Sequence, residues 1–407
     1  MLPWGRCVGC GGSGSWVWME IAKRPSSPEG HSRMSSSPAA STVANTTRLE
    51  SLISALGGMS DPRSRRGRRF ELAPMLAAAV VATLGGARSF AALAQSVASL
   101  SPAERAMLGL GDTSPEESTW RKLFARLDTD LLDAIVGSWM FARTTIRARR
   151  RVIAIDGKTV RGARTDDDRA PHLVAGLDHH FGVVLGQVCA DMKSNEIPAA
   201  RTLLASIDLS GTVVTADAMH TQTATAQAIL DGHADYLLTV KGNMPTLHAY
   251  LKDIDWKSVP ATSSVQTGHG RRVRRTIKVV DAPKWIEFPG AAQVAQIRRT
   301  ATDRKTAKRT CEVVYIITSA PFTDAKPETL AEWTCGHWSI ENKLHWVRDV
   351  SFGEDASKVR TGQAPRVMAS LRNTAISLLR LADVTNIAAA LRHHHKHADQ
   401  AMKLVLT

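Results

Sequence analysis

The chain has 407 residues, of which 43% are hydrophobic and 22% charged, which is enough for two or three domains with packed cores. Its 52 Lys and Arg against 38 Asp and Glu give a formal net charge of +14, so a polyanion such as nucleic acid is the expected partner. The longest apolar run, residues 75–84, is too short to cross a bilayer, and five scattered cysteines form no disulfide framework. These features exclude a membrane-spanning or disulfide-rich protein and predict a cytoplasmic one.

Residues 1–45 are rich in Gly, Ser and Pro and carry little hydrophobic periodicity, which predicts a disordered N-terminal tail. Cys7 and Cys10 have the spacing of a zinc-binding pair, but no second CxxC or nearby histidine pair completes such a site. Met34 is an alternative start of the chain. We therefore expect an irregular tail with two isolated thiols.

Residues 46–145 show helical periodicity, which predicts an all-helical N-terminal domain. One helix is expected over residues 118–140, with Ser118 capping its start. Four apolar residues recur at helical spacing on its inner face: Trp120, Leu123, Phe124 and Leu127. Short helices joined by turns are also typical of DNA-reading helix-turn-helix units, but such pairs are common in any helical domain.

After the basic run Arg147–Arg151 the pattern changes to short apolar strands and helices in the order β-β-β-α-β-α-β. This order predicts a mixed α/β domain over residues 146–384. A basic, strand-rich insertion is expected at about 243–312, before one more strand and a long helix. Residues 385–407 are expected to form a C-terminal helix or tail that exposes a run of histidines.

Three acidic residues stand where an α/β sheet places its ligands. Asp156 and Asp217 each follow an apolar strand, and Glu341 lies on the helix after the last strand. Each acid alone is as easily a helix cap or a turn residue. Together, in a basic chain, they favour phosphoryl transfer with two divalent cations, because Mg2+ prefers oxygen ligands.

Four segments resemble one known family: AIDGKTVRGAR at 154–164, VVTADAMHTQ at 213–222, YLLTVKGN at 236–243, and the region that begins with HWSIENKLHWVRDVSFGEDASKVR at 337. They are similar to the DDE transposases of bacterial insertion sequences, in the ISAs-type branch that includes the H-repeat-associated proteins. DPRSRRGRRFELAPMLAAAVVATLGGARSFAALAQ, at 61–95, resembles the helical domain that precedes the catalytic domain in that branch. The resemblance covers about residues 48–383.

The resemblance implies an RNase H-like catalytic domain with a β-rich insertion before its last acidic residue, preceded by an all-helical domain that binds DNA ends. It carries a Mg2+-dependent triad onto Asp156, Asp217 and Glu341, with two ions per site and Mn2+ as an alternative ion. Related transposases have a Tyr, Arg, Glu, Lys signature around the third acid. This chain departs from the signature, because Thr334, His337 and Arg348 occupy the other three positions.

The function implied by the resemblance is a transposase that binds the terminal inverted repeats of an insertion sequence, cuts the DNA and joins it to a target. Pairing two element ends implies at least a homodimer on double-stranded DNA, in the nucleoid. Six basic residues are predicted to contact DNA: Lys158, Arg161, Lys241, Arg271, Arg272 and Arg348. Two alternatives stay open, namely a nuclease of the same fold that cuts without joining, and a non-catalytic DNA-binding relic.

The segment 337–360 carries two more expectations about packing. Its apolar stripe of Ile340, Leu344 and Val347 is predicted to dock on the sheet, and core packing is favoured for Trp338 and Trp346. The Glu354–Asp355 pair has two interpretations. Either it supports the acidic site, or Asp355 caps a helix that begins at Ala356.

Overall fold

The computed structural model describes residues 50–66, 68–144, 150–165, 170–190, 196–268 and 270–407. The predictions for the N-terminal tail, for its two cysteines and for Met34 lie outside these residues, as does most of the basic run at 147–151. Residues Glu50–Thr407 form one unit, to which all contacts below belong. In the described ranges, no helix is both long enough and apolar enough to span a membrane.

Six helices precede the sheet: α1 Leu52–Leu56, α2 Leu72–Leu84, α3 Phe90–Ala98, α4 Pro102–Met107, α5 Glu117–Phe124 and α6 Thr129–Arg143. Serine and aspartate side chains cap several of them; Ser101, for example, forms a reciprocal capping box with Glu104 at the start of α4. Helix α2 is apolar on almost every side and is buried along nearly its whole length. It is therefore the central helix of this group.

The single helix expected over residues 118–140 is in fact two helices, α5 and α6. The side chain of Asp128 accepts the N–H of Leu131, which caps α6 and starts a new helix at Thr129. Ser118 lies inside α5 and is not its cap, because that helix begins at Glu117. The predicted inner face is confirmed, since all four of its apolar residues are buried.

Nine strands form one sheet in the order β3-β2-β1-β4-β5-β9-β8-β7-β6. The strands are β1 Val152–Thr159, β2 His172–Asp178, β3 Val184–Ala190, β4 Val213–Ala216, β5 Asp235–Val240, β6 Thr262–Gly268, β7 Arg271–Asp281, β8 Gln293–Asp303 and β9 Arg309–Thr318. Strands β1, β4 and β5 are parallel, whereas the other neighbours pair antiparallel. Between them lie α7 Glu196–Ser206, α8 Thr223–Asp231 and α9 Pro245–Asp253. The protein is a mixed α/β structure.

The segment expected to be a strand-rich insertion does contain strands, but they extend the central sheet. It begins with helix α9, continues through β6, β7 and β8, and returns along β9, which pairs with β5. Strand β7 carries Arg271, Arg272, Arg274 and Arg275 in its outer half. This arm of the sheet is therefore basic, and it is joined to the central strands through the pairing of β9 with β5.

The helix after β9 runs from α10, Pro327–His337, into two π-helical stretches, Glu341–His345 and Val347–Ser351. Its predicted apolar stripe is confirmed, because Ile340, Leu344 and Val347 are all buried. The expectation of core packing is wrong for Trp346, which is 42% exposed. π-Helical turns are wider than α-turns and are often found at functional sites.

Three helices complete the chain: α11 Ala364–Leu381, α12 Ile387–Lys396 and α13 Ala398–Leu406. Helix α11 is almost entirely buried. A helix starting at Ala356 does not form, because Glu354–Ala356 is only a short 3-10 turn and α11 begins eight residues later. The histidine run lies on α12, where His393 and His395 are exposed as expected.

Candidate active site

Two parallel strands bring Asp156 and Asp217 to the same edge of the sheet. Strand β1 pairs with β4 up to Ile155 and Ala216, and the two aspartates are the next residues after this last pair. The side chains of Val152 and Val213 pack on α10, and side chains alternate along strands, so the aspartates face the same helix. The strands separate at this point, where open α/β sheets bind ligands.

The helix after β9 brings Glu341 and His345 to Asp156. The Nδ1 atom of His345 lies 3.4 Å from Asp156 Oδ2 and 3.3 Å from Glu341 Oε2. One oxygen or nitrogen atom from each of these three residues lies within 4.8 Å of the others. Among the described residues, Asp217 is not part of this group. The structure therefore joins the first and third predicted acids and adds a histidine that sequence reasoning missed.

The electrostatics of Asp156 are those of a carboxylate held among other acids. Burial raises its pKa to about 6, and the negative charges of Glu196 and Glu341 act in the same direction. The ring of His345 and the N–H of Gly157 oppose the rise in this pKa only in part. Carboxylates gathered in this way are stabilised by a cation, so the donor set fits a divalent metal ion.

Asp217 lies one strand away in a more open position. Its side chain is 51% exposed, and its Oδ1 atom is 3.9 Å from the ammonium of Lys241, at the end of β5. The same oxygen accepts the N–H of Ala218 and starts the short 3-10 turn Ala218–His220. Lys241 and Asp217 thus lie together at the sheet edge, with 40% of the lysine side chain exposed.

Glu196 lies between two histidines, next to the sheet edge that carries Asp156. Glu196 Oε2 lies 2.6 Å from His172 Nε2, and Glu196 Oε1 lies 3.0 Å from His220 Nε2. Although burial opposes it, the hydrogen bonds from the two histidines hold the pKa of Glu196 at about 2. A Cβ at Gly157 would lie 2.3 Å from the Glu196 carboxylate carbon, so any larger residue beside Asp156 would have to displace the Glu196 carboxylate. A glycine inside an apolar strand is the sequence feature that indicates such a close approach.

A threonine and two histidines connect β4 to α10. Thr215 Oγ1 lies 3.0 Å from His179 Nε2 and 3.1 Å from His337 Nδ1. Burial lowers the pKa of His179 to about 3 and that of His337 to about 4, so both rings are neutral near pH 7. His337 therefore anchors the helix to the strand that precedes Asp217.

Two of the six basic residues predicted to contact DNA are buried in ion pairs. The guanidinium of Arg348 is fully buried and lies 2.8 Å from Glu354, so DNA cannot reach it. Lys158 is only 8% exposed, and its ammonium lies 2.6 Å from Asp349 and 3.7 Å from Asp355. Both cations instead hold the segment after the π-helical turns against the sheet.

The other predicted contacts have accessible side chains. Arg161 is 72% exposed and lies 3.9 Å from Asp355, which therefore faces cations and caps no helix. Arg271 and Arg272 are exposed at the outer end of β7.

Comparison with known proteins agrees with an acid-lined metal site. Residues 147–378 match the family model described as the transposase DDE domain, and residues 53–140 match a model described as DDE_Tnp_1-associated. YncI of Escherichia coli O157:H7, whose name gives it as a transposase, is 34% identical over 69% of this chain and 74% of its own length. YhhI of Escherichia coli K12, named as an H repeat-associated transposase, is 34% identical over 56% of this chain and 64% of its own.

A solved structure, the cryo-EM piggyBac transposase synaptic complex with hairpin DNA, covers 86% of this chain and 78% of that chain. Its TM-score is 0.38 and its identity 12%, so this similarity supports no conclusion here.

Acidic residues from a strand and from a helix converge at one edge of the α/β sheet. Such a set of oxygen ligands is typical of metal-dependent enzymes. The match over residues 147–378 identifies that class as the transposases of the DDE type. The chain belongs to the transposase DDE domain family, and its relatives include proteins named as a transposase and as an H repeat-associated transposase. It is a metal-dependent enzyme of DNA cleavage and strand transfer.

Proposed function

We propose that this transposase binds the terminal inverted repeats of an insertion sequence, and that it cuts and joins DNA strands with Mg2+ at Asp156, Asp217 and Glu341. The observation that carries the proposal is the convergence of Asp156 and Glu341, from a strand and a distant helix, on one cluster. Asp217 follows the last residue of β4 that pairs with β1, at the same edge. This arrangement suits ions that must contact a DNA phosphate and the protein together.

Mg2+, or Mn2+ in its place, would be held by the three carboxylates, with two ions per site. Such ions activate an attacking water or 3′-hydroxyl and stabilise the leaving oxygen. The protein residues hold and orient the acids: Glu196 packs against Gly157, and His337 fixes the helix through Thr215. The strand order β3-β2-β1-β4-β5, antiparallel and then parallel, supports an RNase H-like assignment for this part of the sheet.

DNA recognition is assigned to the helical segment 46–145 and to exposed cations near the sheet edge. Four of these cations are proposed to contact phosphates: Arg161, Lys241, Arg271 and Arg272. Their charges supply affinity without sequence preference, whereas base contacts from the helical segment select the element ends. In the proposal the catalytic domain spans residues 146–384, two copies of the chain pair two ends, and the protein resides on the nucleoid.

The proposal is tested with the full chain and labelled DNA that carries the inverted repeats flanking its coding sequence. Incubation with Mg2+ and a target plasmid is expected to give cuts at the repeat ends and joined products. Asp156→Asn and Glu341→Gln are expected to lose both products while still retarding the labelled DNA on a gel. Binding must persist in these variants, because the carboxylates are assigned to chemistry and the cations to affinity.

The alternatives predict different products in the same assay. A nuclease of this fold would cut the labelled ends without joining them to the target. A non-catalytic relic would retard the DNA without cutting it at all, although Asp156 and Glu341 still converge in this chain. Either outcome with wild type would overturn the transposition proposal.

A further inference from the structure

We infer that His345 is a metal ligand, so that the ion at Asp156 and Glu341 is held by two oxygens and one imidazole nitrogen. This inference rests on the proposed function, because it concerns the same metal site. It goes beyond the all-carboxylate triad expected for the family. His345 occupies the fourth position after Glu341 on the helix, and the two side chains therefore project on the same side.

The distances within the group are compatible with atoms that share an ion, and the contact between His345 and Glu341 is otherwise a long hydrogen bond of 3.3 Å. The nitrogen of His345 is 3.4 Å from one carboxylate oxygen and 3.3 Å from the other. Charge-assisted N–H···O bonds are shorter, about 2.7–2.9 Å. Two ligands that each lie about 2.1 Å from one ion are about 3.0 Å apart at a right angle and about 3.4 Å apart at a tetrahedral angle.

The ring of His345 is also held in a buried position beside the two carboxylates. The residue is only 4% exposed, and the remaining ring nitrogen, Nε2, is buried without a hydrogen-bond partner. A buried imidazole is usually held by hydrogen bonds at both nitrogens. Here the polar contacts of the ring are made through Nδ1, which is directed between two carboxylates. The π-helical turn Glu341–His345 begins and ends at the two proposed ligands.

A nitrogen ligand changes which ion the site prefers. Imidazole suits transition metals such as Zn2+, Fe2+ and Ni2+, whereas Mg2+ favours all-oxygen sites; Mn2+ also prefers oxygen but, as a transition metal, accepts an imidazole nitrogen more readily than Mg2+ does. The site is therefore expected to bind Mn2+ more tightly than Mg2+ by a margin that depends on His345. His345→Gln offers an oxygen in place of the nitrogen and should reduce that margin.

The test uses the purified full chain titrated with Mn2+ alone and followed by electron paramagnetic resonance. In wild type, the electron spin echo of bound Mn2+ is expected to show modulation from a directly coordinated nitrogen. This modulation should disappear in His345→Gln and in His345→Asn. The affinity for Mn2+ should also fall by at least about tenfold, because removing even a residue that only supports a metal ligand costs about that much. The matched control is His233→Asn, at an exposed turn before β5 with a positive φ that asparagine tolerates.

Two results would overturn the inference: wild-type Mn2+ without nitrogen coupling, or coupling that persists in a folded His345 variant. The wild-type spectrum decides the first point even if both variants fail to fold. DNA cleavage by wild type with Mg2+ is measured separately. Cleavage without nitrogen coupling leaves the transposase proposal standing and removes His345 as a ligand. Nitrogen coupling lost in the variants, without any cleavage of repeat DNA, supports the ligand assignment and counts against transposition.

Discussion

Glu354 shows how single buried charges determine the geometry around the site. It accepts hydrogen bonds from Arg348 and from Arg372, whose Nη1 lies 2.9 Å from Glu354 Oε1, and none of the three side chains is more than 1% exposed. The cluster joins the π-helical turns, the short turn that follows them and helix α11. Arg348 is therefore a structural residue in this chain.

Glu354→Gln is expected to destabilise the protein by about 3–5 kcal/mol, because it leaves two buried guanidinium groups without a countercharge. Urea unfolding followed by circular dichroism measures this change. Asp399→Asn is the control, since Asp399 and Lys403 form an exposed pair at 3.8 Å whose loss costs about 0.5 kcal/mol or less. Equal losses of stability in the two variants would contradict the role of Glu354 as the countercharge of Arg348 and Arg372.

The sequence predicted that acids gather at the sheet edge, as Asp156 and Glu341 do, but it did not predict which cations are buried. Asp156, Asp217 and Glu341 could be selected because apolar runs mark the strand ends and the long helix. Lys158 and Arg348 were assigned to DNA because a basic chain suggests it, whereas their partners lie on elements brought close only by the fold. His345 lacked a sequence signal, since a single histidine on a helix is more often a packed residue than a ligand.

At the scale of elements, helix α6 is joined to the sheet and to α11 through Asp133. Its carboxylate accepts hydrogen bonds from Ser370 Oγ at 2.6 Å and from Gln187 Nε2 at 3.1 Å. Burial raises the pKa of Asp133 from 3.8 to about 7. The folded protein therefore keeps a proton there between about pH 4 and 7 that the unfolded chain has lost, and stability falls as pH rises through this range.

Asp133→Asn is expected to remove this pH dependence, because the amide does not ionise; its oxygen can accept from Gln187 while its nitrogen donates to Ser370 Oγ, whose hydroxyl can donate to Arg366 O. Relative to wild type the variant should be about equally stable near pH 4 and more stable at pH 8, by up to about 4 kcal/mol. Denaturant unfolding of both proteins at the two pH values is the measurement. A difference between the proteins that does not change with pH would show that Asp133 is not protonated in the fold.

Most elements followed from apolar runs and their spacing, and the exceptions have physical causes. The break between α5 and α6 depends on one cap, Asp128, inside a pattern that remains apolar at helical spacing across it. The π-helical turns depend on tertiary packing of Leu344 and Val347, which no local propensity encodes. The sequence predicts a strand-rich segment at about 243–312, but the continuity of its strands with the central sheet arises from the pairing of β5 with β9.

At the scale of the whole molecule, charge is separated between an acidic edge and a basic arm. The chain carries a net charge of +14, yet its acids gather where β1 and β4 part. The arm formed by β7 and β8 carries arginines on paired positions, including Arg275 opposite Arg299. A polyanion bound along the arm would be directed toward the acids, whose charge the metal ions offset.

Arg271→Ala combined with Arg272→Ala is expected to weaken DNA binding and to make its salt dependence shallower. Loss of two phosphate contacts changes the slope of log K against log salt by about 2. Fluorescence anisotropy with labelled DNA at several salt concentrations gives the slope. Arg271→Lys with Arg272→Lys keeps both charges and should retain the wild-type slope; an unchanged slope in the alanine variant would remove these residues from the DNA surface.

The central claim is that acids from distant parts of the chain act as one metal-dependent site on DNA. It is tested most directly by the single-turnover rate of cleavage at a repeat end, compared between Glu341→Gln and Glu332→Gln, an exposed acid on the same helix. The account predicts that Glu341→Gln slows cleavage by at least about a hundredfold, because it removes a charge that binds the ion at the reacting phosphate. Glu332→Gln should cleave at the wild-type rate. Equal rates for the two variants would contradict the account.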